Sequence, residues 1–272
     1  MRGCGHAACG FAEDGPGRRW LIAVWVVGAA FLVGVLVGGV VNQLGSDLPG
    51  HGAPKEPHCP YCGRRRPWWQ WLGLIAYLSL RPHCPSCGAP VRIRRPLVEI
   101  GLGVVFGFLW ITLGPSIRLL FYALYSAIFA LILITDIERR LILNVVTYPA
   151  IVLGFIASFF VPGVTWWSAL LGGAIGLTFF FLAALIGNLA YGSGAMGGGD
   201  VKLALFIGMI TGYPLVIEAI VLTILIGAAV SLVLLITRAR SLTDYVPYGP
   251  FLIAGAAITL LWGYGVAEWF LR

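Results

Sequence analysis

The sequence predicts an all-α membrane protein, a polytopic bundle of about eight transmembrane helices interrupted by one polar, cysteine-bearing loop. Three observations carry that prediction. Of 272 residues, 59% are hydrophobic and only 11% charged, and the mean hydropathy is +0.92, too apolar for a single water-soluble core. The apolar residues fall in continuous runs rich in Leu, Ile and Ala, without the period-2 alternation of a barrel wall, so helices are expected to satisfy the backbone inside the bilayer. The basic residues gather between the runs, where the positive-inside bias accounts for the net charge of +7 and no nucleic-acid partner is needed.

In chain order, residues 1–19 form a tail in which Cys4, His6 and Cys9 stand among glycines. Two cysteines without further ligands predict a poorly ordered tail ahead of a metal or disulfide element. The run 20–42 follows Arg18 and Arg19 and is longer than a signal-peptide core, with no clear small-residue cleavage site, so it reads as a retained first span. Residues 43–96 hold Lys55, Arg64, Arg65, Arg66, Arg81, Arg92, Arg94 and Arg95 against only Asp47 and Glu56, which predicts a cytoplasmic segment. Further spans are predicted at 97–114, 117–135, 141–161, 166–188, 215–237 and 249–268, near the roughly 20 residues that cross a bilayer core. The stretch 201–211 ends before Gly212-Tyr213-Pro214 and predicts a short span or a re-entrant piece, making eight.

Counting spans from the basic segment places the loop with Asp136, Arg139 and Arg140, the loop ending at Asp200 and Lys202, and the loop with Arg238 and Arg240 on one cytoplasmic side. The connections around Pro115, Pro162 and Pro214 fall opposite.

Within residues 43–96 one phrase is written twice: His58-Cys59-Pro60-Tyr61-Cys62-Gly63 and His83-Cys84-Pro85-Ser86-Cys87-Gly88. The spacing C-x2-C-x21-C-x2-C suits a four-thiolate zinc site, with Cys59, Cys62, Cys84 and Cys87 as ligands. A closed four-sulfur shell leaves no position for water, so the zinc is structural and both histidines stay outside the shell. Between the knuckles, Trp68-Trp69-Gln70-Trp71 and the apolar stretch 72–80, flanked by arginines, predict an interfacial helix lying against membrane lipid; a buried helix in a small soluble core is the alternative.

Two aspartates border apolar runs, where an ionisable group is costly and suggests function. Asp200 ends the glycine-dense stretch Tyr191-Gly192-Ser193-Gly194 through Gly197-Gly198-Gly199, which leaves room for an extended substrate backbone beside the acid. As a structural alternative, Asp200 is the N-cap of a helix beginning at Val201. Asp136 precedes Glu138, Arg139 and Arg140, and a solvated charged turn is its structural alternative. Two carboxylates held close do not readily both ionise: one keeps a proton while the other activates a water, which suits amide hydrolysis.

These segments together resemble the type IV prepilin peptidase family. The resemblance rests on TDIERRLILN around Asp136, MGGGDVKL around Asp200, the paired C-x2-C loop after the first span, Arg95-Pro96-Leu97-Val98-Glu99 opening the second, and Pro247-Tyr248-Gly249-Pro250-Phe251 opening the last. It covers most of the chain in order, and GGGDVKL is its most specific part. It implies an aspartic endopeptidase of the GxGD class with Asp136 and Asp200 as the catalytic pair. Its substrates are implied to be type IV prepilins or pseudopilins, relieved of a short basic leader at the cytoplasmic face of the bacterial inner membrane.

Many members of that family then methylate the new N-terminus with S-adenosylmethionine. No G-x-G-x-x-G strand-turn-helix accompanies this, so that cofactor is implied by resemblance alone. Leu143 stands where the family usually has proline and Ala195 where glycine is usual; neither removes an acid, and both bear on the loops beside the aspartates.

The substrate-binding expectation covers Gly197, Gly198, Gly199, Glu99 and Lys202. Glu99 also reads as a snorkelling acid or one paired with Arg95 a turn earlier, and Lys202 as a phospholipid ligand. The expected organisation is a tail (1–19), a first span (20–42), a cytoplasmic zinc loop (43–96) and a membrane peptidase domain (97–272). The competing expectation is a non-catalytic scaffold or a proton- or cation-coupled transporter that docks a partner through the zinc loop.

Overall fold

A computed structural model describes residues 16–51, 56–59, 61–66, 71–79, 83–191, 197–237 and 248–270. Cys4, His6, Cys9, the Trp68-Trp69-Gln70 run, residues 192–196, Arg238, Arg240 and Pro247 lie outside them. The described chain is helical with no strand: α1 Pro16–His51, α2 Gly73–Leu78, α3 Arg94–Leu113, α4 Ile117–Arg139, α5 Asn144–Ala157, α6 Trp166–Tyr191, α7 Gly198–Thr211, α8 Leu215–Ile236 and α9 Gly249–Phe270. Five of these, α1, α3, α4, α6 and α8, contain stretches long and apolar enough to cross a membrane. Every expected span corresponds to a helix, and the short helix α2 lies within the apolar stretch 72–80.

Among the boundaries that differ from expectation, two have reasons in the contacts around them. The first helix runs on to His51 instead of stopping at residue 42. Its extension is held by polar contacts: Asn42 Nδ2 donates to the Arg95 carbonyl at 2.9 Å, and Arg94 donates to Ser46 Oγ at 2.8 Å. The span expected at 141–161 is a helix of only 14 residues. Its N-terminal side is lost because α4 carries Asp136 in its last turn and then stops at Arg140, whose left-handed conformation (φ +54) returns its amide to the Asp136 and Thr135 carbonyls.

Helices pair through small residues, as expected where lipid gives no hydrophobic drive between them. A Cβ on Gly34 of α1 would lie 2.5 Å from the Leu102 carbonyl oxygen of α3, and one on Gly176 of α6 the same distance from that of Ala204 in α7. Helix α7 is the centre of the second half. Val201, Leu203, Ala204, Phe206, Ile207 and Ile210 are buried on several of its faces, and the Phe206 ring meets Tyr125 and Phe129 of α4 edge-on at 5.9 and 5.8 Å. Burial all round explains why this short helix reads as apolar as a span yet need not cross.

Candidate active site

Asp136 and Asp200 converge at one end of the bundle, each fixed by the helix that carries it. Asp136 sits in the last turn of α4 and is 4% exposed. The backbone amide of Gly249, the first residue of α9, faces its carboxylate. A side chain at Gly249 would collide with that carboxylate, so glycine is the residue that lets α9 close over the acid. Asp136 Oδ2 is buried and makes no hydrogen bond meeting normal geometry among the described residues.

Asp200 is the third residue of α7, whose N-cap is Gly197; the helix thus starts earlier than the sequence suggested and Asp200 is not its N-cap. Its carboxylate accepts from the Gly197 amide, one arm of a capping box. It is also 4% exposed, within Coulombic reach of Asp136 on one side and of Tyr248 on another. The Tyr248 ring is braced by Phe180 and Phe251.

The glycines before Asp200 divide their work. A Cβ on Gly199 would lie 2.7 Å from Ile142 Cβ, so this glycine lets α7 approach the segment after α4 and thereby brings the two aspartates together. Gly197 and Gly198 carry no such crowding: a Cβ would find only Asp200 Oδ2 at 3.5 Å and the Gly199 amide nitrogen at 4.0 Å near the first, and nothing within 4 Å of the second. They are the open backbone beside the acid.

The two remaining expected site residues are already engaged. Glu99 is fully buried in α3, accepting from the Gly73 amide at 2.8 Å and the Leu74 amide at 2.7 Å, with Asn42 Nδ2 at 3.5 Å. It caps the start of α2 and ties α1, α2 and α3 together. Lys202 donates to Asn144 Oδ1 at 2.7 Å and lies 5.0 Å over the Tyr148 ring, joining α7 to α5. Sequence reasoning missed Gly249 and Ile142 as parts of the site. Gly249 stood within a motif, but only packing assigns it to Asp136.

The cysteine repeat folds as two matching knuckles. His58 bridges to Arg65 and His83 to Pro90, and Gly63 and Gly88 share φ +69. All four sulfurs lie within 4.8 Å of one another, with Cys59–Cys87 at 3.7 Å and Cys62–Cys84 at 3.9 Å. A tetrahedral thiolate site with metal–sulfur bonds near 2.3 Å has edges of about 3.8 Å, so these residues fit a metal ion. Backbone amides of Ser86 and Cys87 bring the Cys84 thiol down to about 6, while the clustered sulfurs push the Cys87 thiol up.

Residues 123–232 match the model of the type IV leader peptidase family, and residues 32–113 match that of the bacterial peptidase A24 N-terminal domain. A Pseudomonas aeruginosa protein named prepilin leader peptidase/N-methyltransferase is 31% identical over 79% of this chain and 74% of its own length. Proteins of the same name from Bacillus subtilis and Xanthomonas campestris are 26% and 28% identical, covering 89% and 82% of this chain and 96% and 78% of theirs. No solved structure matches this chain. Two matched models that bracket both aspartates and the cysteine loop, and relatives aligned over most of their length, agree with the geometry above: the chain belongs to the type IV leader peptidase family.

Proposed function

We propose that this protein is a membrane aspartic endopeptidase that removes the leader peptide of type IV prepilins or pseudopilins at the cytoplasmic membrane face and then methylates the new N-terminus. The observation that carries the reading is the meeting of Asp136 and Asp200 from two different helices, closed over by the Gly249 amide. In the reaction, the ionised aspartate takes a proton from water as its oxygen attacks the scissile carbonyl carbon, and the protonated aspartate donates to the carbonyl oxygen. The tetrahedral species then collapses: the C–N bond breaks, and a proton delivered by the pair leaves with the amine. Gly197 and Gly198 supply open backbone against which the substrate strand lies beside Asp200.

Cys59, Cys62, Cys84 and Cys87 hold a structural zinc, which their spacing supports and which orders the basic loop after α1. One zinc per chain is expected in the purified protein by elemental analysis, and Cys59→Ser lowers that content without removing peptidase activity from the fraction that stays folded. Methyl transfer rests on the names of the relatives; S-adenosylmethionine, implied by the family resemblance alone, would supply the methyl group. The basic residues of the loop between α1 and α3 support the reading in which that loop, and with it the aspartate end, faces the cytoplasm of a bacterial inner-membrane protein.

The test is co-expression with a prepilin, read by mass spectrometry of its N-terminus. The wild-type protein yields a shortened, methylated chain. Intact leader removal by both Asp136→Asn and Asp200→Asn sinks the peptidase reading. Cleaved but unmethylated product sinks only the methyltransferase half.

A further inference from the structure

A cavity of about 240 Å³ lies where the last turns of α1, the first cysteine knuckle, the start of α3 and the end of α4 meet. Its lining carries five arginines, Arg66, Arg92, Arg94, Arg95 and Arg139, against two carboxylates, Asp47 and Glu138. The carboxylates are already committed. Glu138 accepts from Arg94 Nη1 and lies 3.8 Å from Arg92, and Asp47 accepts from Gln43 Nε2 at 2.7 Å.

Three of the guanidinium groups still have donors to give. Arg95 is only 6% exposed, yet no hydrogen bond or ion pair joins its guanidinium to another described residue. Arg66 donates from Nε to the His58 carbonyl at 3.2 Å, but its Nη1, like the Nε of Arg94, is buried without a hydrogen-bond partner among the described residues. Of the charges that act on Arg95, the repulsion from Arg66 is the largest, ahead of the attraction of Glu99 or of Asp47. Buried cations placed in this way are costly, and an anion held between them offsets that cost.

We infer that the cavity binds the phosphate of an anionic phospholipid. Phosphate suits it because a tetrahedral phosphodiester offers oxygens in several directions. Arg66, Arg95 and Arg139 come from the first knuckle, α3 and α4, and each presents a planar fork of donors. A lipid suits it because of where the cavity lies. Helices α1, α3 and α4 each contain a stretch long and apolar enough to cross a membrane, and the cavity sits at their polar ends, the depth of lipid headgroups. Arg94 and Glu138 also line an apolar groove between α3, α4 and α9, so hydrocarbon walls for acyl chains begin at the cavity's edge. Basic pockets between membrane helices hold anionic headgroups in this manner, and the excess of arginines disfavours a headgroup that carries its own ammonium. A phosphate held here ties the knuckle and α3 to the last turn of α4, the turn that carries Asp136.

The full chain is tested in nanodiscs of phosphatidylcholine alone or mixed with phosphatidylglycerol, by native mass spectrometry of retained lipid and by thermal unfolding. Neither readout depends on peptide cleavage. Wild-type protein is expected to retain phosphatidylglycerol in preference to phosphatidylcholine, and the anionic lipid to raise the melting temperature by about 3 °C or more. Arg95→Gln is expected to lose both effects and Arg66→Gln to weaken them; Arg66→Gln decides the matter if Arg95→Gln does not fold. Arg65→Gln removes the same charge from an exposed side chain paired with Glu56, and both effects should stay as in wild type.

Equal retention of the two lipids by the wild-type protein overturns the inference. So does a loss in Arg65→Gln as large as that in Arg66→Gln, which marks diffuse attraction of the basic loop to the membrane. Inorganic phosphate added to phosphatidylcholine discs is expected to leave the melting temperature unchanged. A rise matching that from phosphatidylglycerol assigns the cavity to free phosphate and overturns the lipid.

Discussion

Glu99 and Asp136 are both carboxylates buried near helix ends in an otherwise apolar bundle, and they are treated in opposite ways. Glu99, in the first half of the chain, has both oxygens satisfied by the Gly73 and Leu74 amides and an approach from Asn42. Asp136, in the second half, keeps an oxygen without a properly formed hydrogen bond among the described residues and faces a second acid. A buried carboxyl whose two oxygens each accept from a backbone amide is a staple, because those bonds hold the backbone of another element in place. A buried acid left partly unsatisfied beside another is costly, and that cost persists where chemistry uses it. The same residue class therefore stabilises one half of this molecule and equips the other.

The largest expected effect on this contrast is Asp136→Asn or Asp200→Asn. Each should lower leader cleavage by about a thousandfold or more, the upper part of the range for a lost general acid or base, with the melting temperature in detergent little changed. If both variants retain activity within tenfold, the contrast between staple and catalyst collapses. Gly249→Ala comes next: its methyl group meets the Asp136 carboxylate, and cleavage should fall by about ten- to a hundredfold through displacement of the acid, with binding of uncleaved substrate retained.

Glu99→Ala probes the other side. It strands two amides at the start of α2 and should cost about 2–4 kcal/mol of stability, measured by thermal unfolding, while the folded fraction keeps its peptidase rate. A fall in kcat without a fall in stability would move Glu99 from staple to catalyst. The smallest effect belongs to Lys202→Met. Its partners are Asn144 and the Tyr148 ring, and cleavage of prepilin should stay within about twofold of wild type, as for other exposed polar contacts.

Much of this was legible in the sequence, and the legible part was local. Hydrophobic runs located all eight long helices, because a helix in hydrocarbon is determined by the residues it contains. The cysteine phrase announced its own geometry, since each C-x2-C knuckle closes on itself through short-range bonds such as Gly63 N–H to the Cys59 carbonyl. The start of α7 was misread by a few residues because glycine, a poor helix former, opens it. The end of α1 was misread because Asn42, Gln43 and Asp47 looked like the onset of a loop, whereas their burial is supplied by α3, more than fifty residues away.

The sequence by itself determined the membrane class, the number of long helices among the described residues, the cysteine quartet and the two candidate acids. Tertiary structure alone decided which acid each buried carboxylate became. Glu99 found its donors 25 and 26 residues earlier in the chain, whereas Asp136 met Gly249 and Asp200 from helices far along it. A carboxylate's role is set by the donors and charges packed around it, and those arrive from distant segments that no local pattern can bring into register.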